Sequence, residues 1–169
     1  EVGVAFHSIF ERLFSAPTPI WRGSAAILDT IRQELRGSSL LVWEADIYAL
    51  IDKTLQLPLP PGFTLRDIEP SQVLVEMEFL FPEVPHYLKG FIDLVFCMDG
   101  VYYFADWKSN YLGNHSPEQI MDTYDYWLQA SLYGEALRRY LPNQPYGGAF
   151  YFFLREGKFL HFLPQARHG

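Results

Sequence analysis

Gly90-Phe91-Ile92-Asp93-Leu94-Val95-Phe96 and Phe104-Ala105-Asp106-Trp107-Lys108-Ser109-Asn110 stand on either side of the dipeptide Asp99-Gly100. Asp-Gly suits a two-residue type I′ turn, so the segment predicts a β-hairpin. With only those two residues in the loop, Met98 faces Val101, and counting back places Asp93 opposite Asp106. Two carboxylates directly across a hairpin repel and destabilise it. A divalent cation between them reverses the sign, because magnesium favours hard oxygen ligands. Lys108 lies two residues beyond Asp106 and so shares its face. A metal-binding carboxylate pair with an ammonium beside it is suited to phosphodiester hydrolysis.

The opposite face of the hairpin carries Ile92, Leu94, Phe96, Met98, Val101, Tyr103, Ala105 and Trp107, apolar throughout. The face shared by the aspartates continues toward the turn as Val95, Cys97, Tyr102 and Phe104, also apolar. The sheet is therefore expected to be covered on both sides, with its charge gathered at the end away from the turn. An isolated Asp-x-Lys on a strand is ordinarily a solvated ion pair. Here the facing aspartate and the apolar surroundings argue for partnered or metal-bound charge.

The 169 residues fit one domain with a substantial core, and an apolar content of 49% marks it as globular. The chain opens on Glu1, which predicts that residues 1–169 are a single domain excised from something longer. A single cysteine, Cys97, excludes an internal disulfide framework and fits a reducing, cytoplasmic setting. No apolar run approaches a membrane span, and the N-terminus has no basic stretch leading into an apolar one. The net charge of −7 runs against the basic footprint that phosphate binding usually leaves. Either the substrate is not nucleic acid, or other domains and subunits hold it.

Apolar residues at Val2, Phe6, Ile9, Phe10 and Leu13 predict a first helix, ended by Pro17 and Pro19. A second runs from a Ser24 cap to Leu35, with Gly37 after it, and a third from Trp43 to Leu55. Residues 72–81 alternate as a strand, with Val73, Val75, Met77 and Phe79 on one face and Leu74, Glu76, Glu78 and Leu80 on the other. After the hairpin, Ser116-Pro117-Glu118-Gln119 is a capping box for one long helix reaching about Tyr140. An aromatic strand over 147–155 and a final strand around 159–162 follow. The fold class is α/β: a mixed sheet flanked by helices, with a helical N-terminal part.

Several residues outside the hairpin support a metal site, each weakly. His7 sits on the first helix, where a lone histidine is more often a plain surface or core residue, yet a neutral imidazole can complete an aspartate site. Gln129 and Tyr133, one turn apart, share a helix face and could position a phosphate or nucleotide; a surface pair is the plainer reading. Glu76 and Glu78 lie on the neighbouring strand, and either could approach the metal. Ser109-Asn110 could bind backbone at the strand end.

Together Gly3-x-x-x-His7, Glu76-Met77-Glu78-Phe79, the run from Lys89 to Phe96, the run from Asp106 to Gly113, Gln129-x-x-Leu132-Tyr133 and Gly147-Gly148 carry a resemblance. The chain resembles the RecB family of C-terminal nuclease domains, the nuclease part of exodeoxyribonuclease V, within the PD-(D/E)XK superfamily. The resemblance spans nearly the whole length and is most specific from Lys89 to Gly113. It implies a PD-(D/E)XK restriction-endonuclease-like core. It implies that His7, Asp93 and Asp106 are metal ligands, with the carbonyl of Trp107 as a fourth, that Lys108 is the catalytic lysine, and that Gln129 and Tyr133 support it. The family often has tyrosine where this chain has Trp107. The proline-rich segment 55–72 looks compact, so partner contacts made there by relatives do not carry over.

The resemblance further implies Mg2+-dependent cleavage of single- and double-stranded DNA, coupled to an ATP-driven helicase and to RecC- and RecD-like subunits, in double-strand break repair and recombination. The chain has no Gly-x-x-x-x-Gly-Lys-[Ser/Thr] loop, so any ATP requirement belongs to a helicase region outside it. Two other functions compete. One is a catalytically inactive nuclease fold kept as a scaffold or DNA-contacting module of a repair complex. The other is a magnesium-dependent hydrolase of an acidic small molecule, which suits the charge but has no matching motif.

Overall fold

The computed structural model describes residues 1–83 and 85–164. Three helices come first: α1 (Val2–Phe14), α2 (Ser24–Leu35) and α3 (Glu44–Gln56). Each is amphipathic, and α1 buries Phe6, Ile9, Phe10, Leu13 and Phe14. Ser24 proves to be the first helical residue of α2, with Gly23 at the cap position. A short 3-10 turn, Ser39–Trp43, leads into α3.

Five strands form one sheet in the order β1 (Val73–Glu83), β2 (His86–Met98), β3 (Val101–Lys108), β4 (Tyr146–Phe153), β5 (Lys158–Phe162). All neighbours are antiparallel except β3 and β4, which run parallel. A parallel pair needs a crossover. Here it consists of α4 (Pro117–Thr123), opened by the Ser116/Gln119 capping box, and α5 (Tyr126–Tyr140). The single long helix expected from Ser116 to Tyr140 is thus two helices, because Asp125 adopts a left-handed backbone with φ 54°.

The sheet has a core on each face. Against α1–α3 pack Leu94, Phe96, Tyr103, Ala105, Trp107, Phe150 and Phe152. Against α4 and α5 pack Val95, Tyr102, Phe104, Tyr151 and Phe153. The indole of Trp107 stacks on Phe10 at 4.1 Å between centroids, which fastens α1 to the end of β3. Burying a ring such as Phe10 contributes about 1.5–3 kcal/mol.

One expectation about faces fails. Val73 and Val75 join the α1–α3 core as their alternation requires, but Met77 and Phe79 lie in the α4–α5 core. Ile92 likewise parts from Leu94 and Phe96 and packs with Phe79 and Phe81. The change falls at Glu76, whose φ of 48° lies in the left-handed region. The pairs Val75↔Leu94 and Met77↔Ile92 on either side set Glu76 level with Asp93. Paired residues share a face, so Met77 and its partner Ile92 change cores together. At the level of Glu76 the aspartates sit.

Candidate active site

The β2–β3 hairpin has the two-residue turn its sequence calls for: Asp99 and Gly100 both have positive φ, 52° and 79°. Pairing runs Met98↔Val101 through Leu94↔Ala105 and stops there. Asp93 and Asp106, the next residues of each strand, stand level with each other at the mouth of the hairpin. Both are buried, Asp93 7% and Asp106 4% exposed. Instead of a ladder bond, the backbone N–H of Trp107 donates to Asp93 Oδ2 at 2.9 Å. β3 continues beside β4, where Asp106 pairs with Tyr151 and Lys108 with Phe153.

The structure brings His7 to Asp93. Its Nδ1 hydrogen-bonds the Gly3 carbonyl at 2.8 Å, one turn back on α1, which aims Nε2 at Asp93 Oδ2, 3.1 Å away. Gly3 faces Ser109 just beyond β3: a Cβ there would meet Ser109 Oγ at 2.6 Å, a contact that the hydroxyl relieves by rotating. The hydrogen bond to Asp93 holds the imidazole pKa up, from 6.5 to about 9, against the opposing effect of burial. His7 is therefore a cation at neutral pH in the metal-free site.

Asp106 is balanced by Lys108, whose Nζ is 2.8 Å from Asp106 Oδ2. Among the described residues that ammonium is the oxygen's only partner, in a buried place. Burial, and then the Asp93 charge, raise the Asp106 pKa well above the usual carboxylate range, while Lys108 and His7 pull it down. Lys108 also donates to Gln129 Oε1 at 3.1 Å and lies 3.8 Å from the ring centre of Tyr126.

Gln129 and Tyr133, possible surface partners by spacing, point into the site. Gln129 Oε1 accepts from Lys108 and from the Tyr151 hydroxyl at 2.9 Å, while its Nε2 donates to the Tyr133 oxygen at 3.2 Å. Two donors on one oxygen fix which way the amide faces. Burial pushes the Tyr133 phenol up to about 12 and the Tyr151 phenol well above its ordinary value. Both are neutral hydroxyls at working pH. Tyr133, having accepted the amide, keeps its own proton to offer a substrate oxygen.

Of the two strand glutamates, Glu76 is level with the aspartates and Glu78 is paired elsewhere. Glu78 forms an exposed ion pair with Lys89 at 3.0 Å. Glu76 lies level with Asp93, and its pKa is raised by burial first, then by the charges of Asp93 and Glu11. Asn110 also differs from expectation, because its Oδ1 accepts from the Tyr126 hydroxyl at 3.2 Å rather than serving backbone. Sequence reasoning passed over Tyr126 and Tyr151. The one available signal was the lone hydroxyl in Phe150-Tyr151-Phe152-Phe153, on the residue paired with Asp106.

Among the described residues, no three His, Cys, Asp or Glu side chains are already drawn together as a finished cation cage. The donor set nevertheless suits a hard divalent ion: two buried carboxylates and an imidazole. The positive charges of His7 and Lys108 offset those of the two carboxylates.

The sequence profile described as the PD-(D/E)XK nuclease superfamily matches residues 1–167. Curated relatives carry the name RecBCD enzyme subunit RecB. The Escherichia coli K12 protein is 32% identical over 202 aligned positions, covering 90% of this chain and 16% of its own length. The Chlamydia pneumoniae protein is 27% identical over 83% of this chain and 14% of its own length. A Buchnera aphidicola relative, from the subspecies Schizaphis graminum, is 35% identical over 61% of the chain and 11% of its own length. The chain thus spans 16% of the length of the Escherichia coli protein and 14% of that of the Chlamydia pneumoniae protein.

Proposed function

The chain belongs to the PD-(D/E)XK nuclease superfamily, and on that premise we propose that it is a metal-dependent deoxyribonuclease domain. The observation that carries this reading is the buried Asp93/Asp106 pair with Lys108 Nζ 2.8 Å from Asp106 Oδ2. Burying two carboxylates side by side is costly unless a cation is to join them. In this reading His7, Asp93, Asp106 and the carbonyl of Trp107 hold Mg2+. Magnesium bound there supplies a Lewis acid for the scissile phosphate and lowers the pKa of a coordinated water.

The chain's own residues do the rest. Lys108, held by Gln129 and by the ring of Tyr126, keeps its ammonium at the mouth of the site. There it orients the attacking water or offsets charge developing on phosphorus. Gln129 keeps Lys108 in place, and Tyr133 offers a proton to a phosphate oxygen. Trp107 anchors the strand carrying Asp106 and Lys108 into the core through Phe10.

The names of the relatives extend the proposal. The chain serves as the nuclease domain of a larger cytoplasmic helicase–nuclease that uses ATP and works with RecC- and RecD-like subunits on DNA in break repair and recombination. Among its described residues no helix is long and apolar enough to cross a membrane. The competing reading is an inactive nuclease-fold scaffold. A scaffold has no use for the chain of bonds Lys108–Gln129–Tyr133, which supports this reading over that one. The test is release of acid-soluble nucleotides from single-stranded DNA by the full-length protein, with and without magnesium. Cleavage that needs the metal is expected; none under either condition overturns the proposal.

A further inference from the structure

Tyr124 and Tyr126 are two residues apart, and on a continuous helix such residues do not face each other. Asp125, with φ 54° between α4 and α5, removes that divergence. The two rings stack, with centroids 5.5 Å apart and planes 17° from parallel. The inner ring, Tyr126, covers Lys108 Nζ at 3.8 Å and is pinned by its hydrogen bond to Asn110. The outer ring, Tyr124, is 56% exposed. A non-glycine residue in the left-handed region costs backbone energy, and such strain clusters at functional sites. What it achieves here is a pair of parallel rings that starts at the lysine and ends in water.

The charge of the chain indicates what the outer ring can hold. At −7, the domain gains little from backbone phosphates away from the site. Stacking of a base on an aromatic ring does not depend on net charge and tolerates any sequence, but it needs an unpaired base, because a duplex keeps its π-faces covered. We propose that Tyr124, seated on Tyr126, is a stacking platform for an unpaired base of single-stranded DNA next to the phosphate held at Lys108. The inference rests on the nuclease reading above and adds a binding residue to it. Its consequence is a preference for single strands at the cutting step.

The test is binding of a fluorescent oligothymidylate to the full-length protein in calcium, with cleavage followed separately in magnesium. Tyr124→Ala should bind about tenfold more weakly, the usual loss for one stacked base. Tyr124→Trp should restore binding and Tyr124→Leu should not, because leucine matches the bulk without the π-face. In magnesium, Tyr124→Ala should raise KM by a similar factor with kcat changed less than about twofold. Against an oligomer of abasic residues, wild type and Tyr124→Ala should bind alike.

Equal binding of oligothymidylate by wild type and Tyr124→Ala overturns the platform, whether or not the protein cleaves DNA, and leaves Tyr124 as a surface for a protein partner. Rescue by leucine also overturns it, since bulk alone then suffices. Binding that depends on Tyr124 in a protein that cuts nothing preserves the platform and removes the nuclease reading.

Discussion

The backbone N–H of Trp107 donates to the Asp93 carboxylate, at 2.9 Å, where a regular hairpin would make a strand-to-strand bond. One side chain thus closes the end of the β2–β3 ladder and faces the candidate metal position. The two roles separate by substitution. Asp93→Asn keeps an oxygen to accept from Trp107 but loses the charge. Asp93→Ala loses both and leaves a buried N–H unpaired, at a cost of about 1–3 kcal/mol. Both variants should lose the rise in melting temperature that magnesium gives, and only Asp93→Ala should melt well below wild type in EDTA. Thermal melts with and without the metal check this.

Lys108→Ala removes the counter-charge of Asp106 and leaves a buried carboxylate unpaired. The metal-free variant should therefore be less stable than wild type, while magnesium should stabilise it by more than it does wild type. Cleavage should fall by about 100- to 1000-fold, the scale of losing one electrostatic donor in a water-poor site. Calorimetry of metal binding alongside the rate separates these effects. A variant that neither binds metal nor cuts would show that Lys108 builds the site rather than acting in it.

The pH dependence follows from two groups whose pKa values are raised in the folded state. His7 titrates near 9 instead of 6.5, so the stability it contributes is complete below 6.5 and lost as pH rises to 9. Asp106, held above 3.8 by burial and by Asp93, favours the folded state when protonated and disfavours it once ionised. Both make the metal-free protein less stable with increasing pH. Metal binding needs the deprotonated forms, so magnesium should stabilise more at pH 8.5 than at 6.5. Melting in EDTA should fall across that range while the magnesium-induced shift grows. A magnesium shift that shrinks with pH would contradict the ligand set.

Gly3 faces Ser109 where α1 meets the end of β3. A single added methyl would meet Ser109 Oγ, which can rotate aside, so Gly3→Ala should behave as wild type. Gly3→Val has no such escape and should push His7 away from Asp93, weakening magnesium binding about tenfold, as losing a supporting interaction at a metal site does. Isothermal titration of the three proteins compares them.

Much of this was legible in the sequence because local chemistry and global fold agree. Asp99-Gly100 dictates one turn type, and that turn alone sets Asp93 level with Asp106. The capping box at Ser116 and Gln119 marks where α4 begins. The face change at Glu76 was hidden, because Val73, Val75, Met77 and Phe79 keep perfect alternation through a residue that is neither glycine nor asparagine. The break at Asp125 was hidden for the same reason, with no proline or glycine in Tyr124-Asp125-Tyr126 to announce it. Both left-handed residues flank the candidate site, where local preference gives way to position. Spacing placed Gln129 and Tyr133 on one helix face but could not aim that face. The aim comes from Tyr151 and Lys108 on the sheet beneath.

Under the proposed function, Asp93, Asp106, His7 and Lys108 form one metal-dependent centre for cutting DNA. The most direct measurement is nucleotide release from single-stranded DNA in magnesium by the full-length protein and by Asp106→Ala. Metal-dependent release is expected from the first and none from the second, with any ATP-driven strand separation by the same preparation unchanged. Release that persists in Asp106→Ala would place the cutting chemistry outside this cluster of residues.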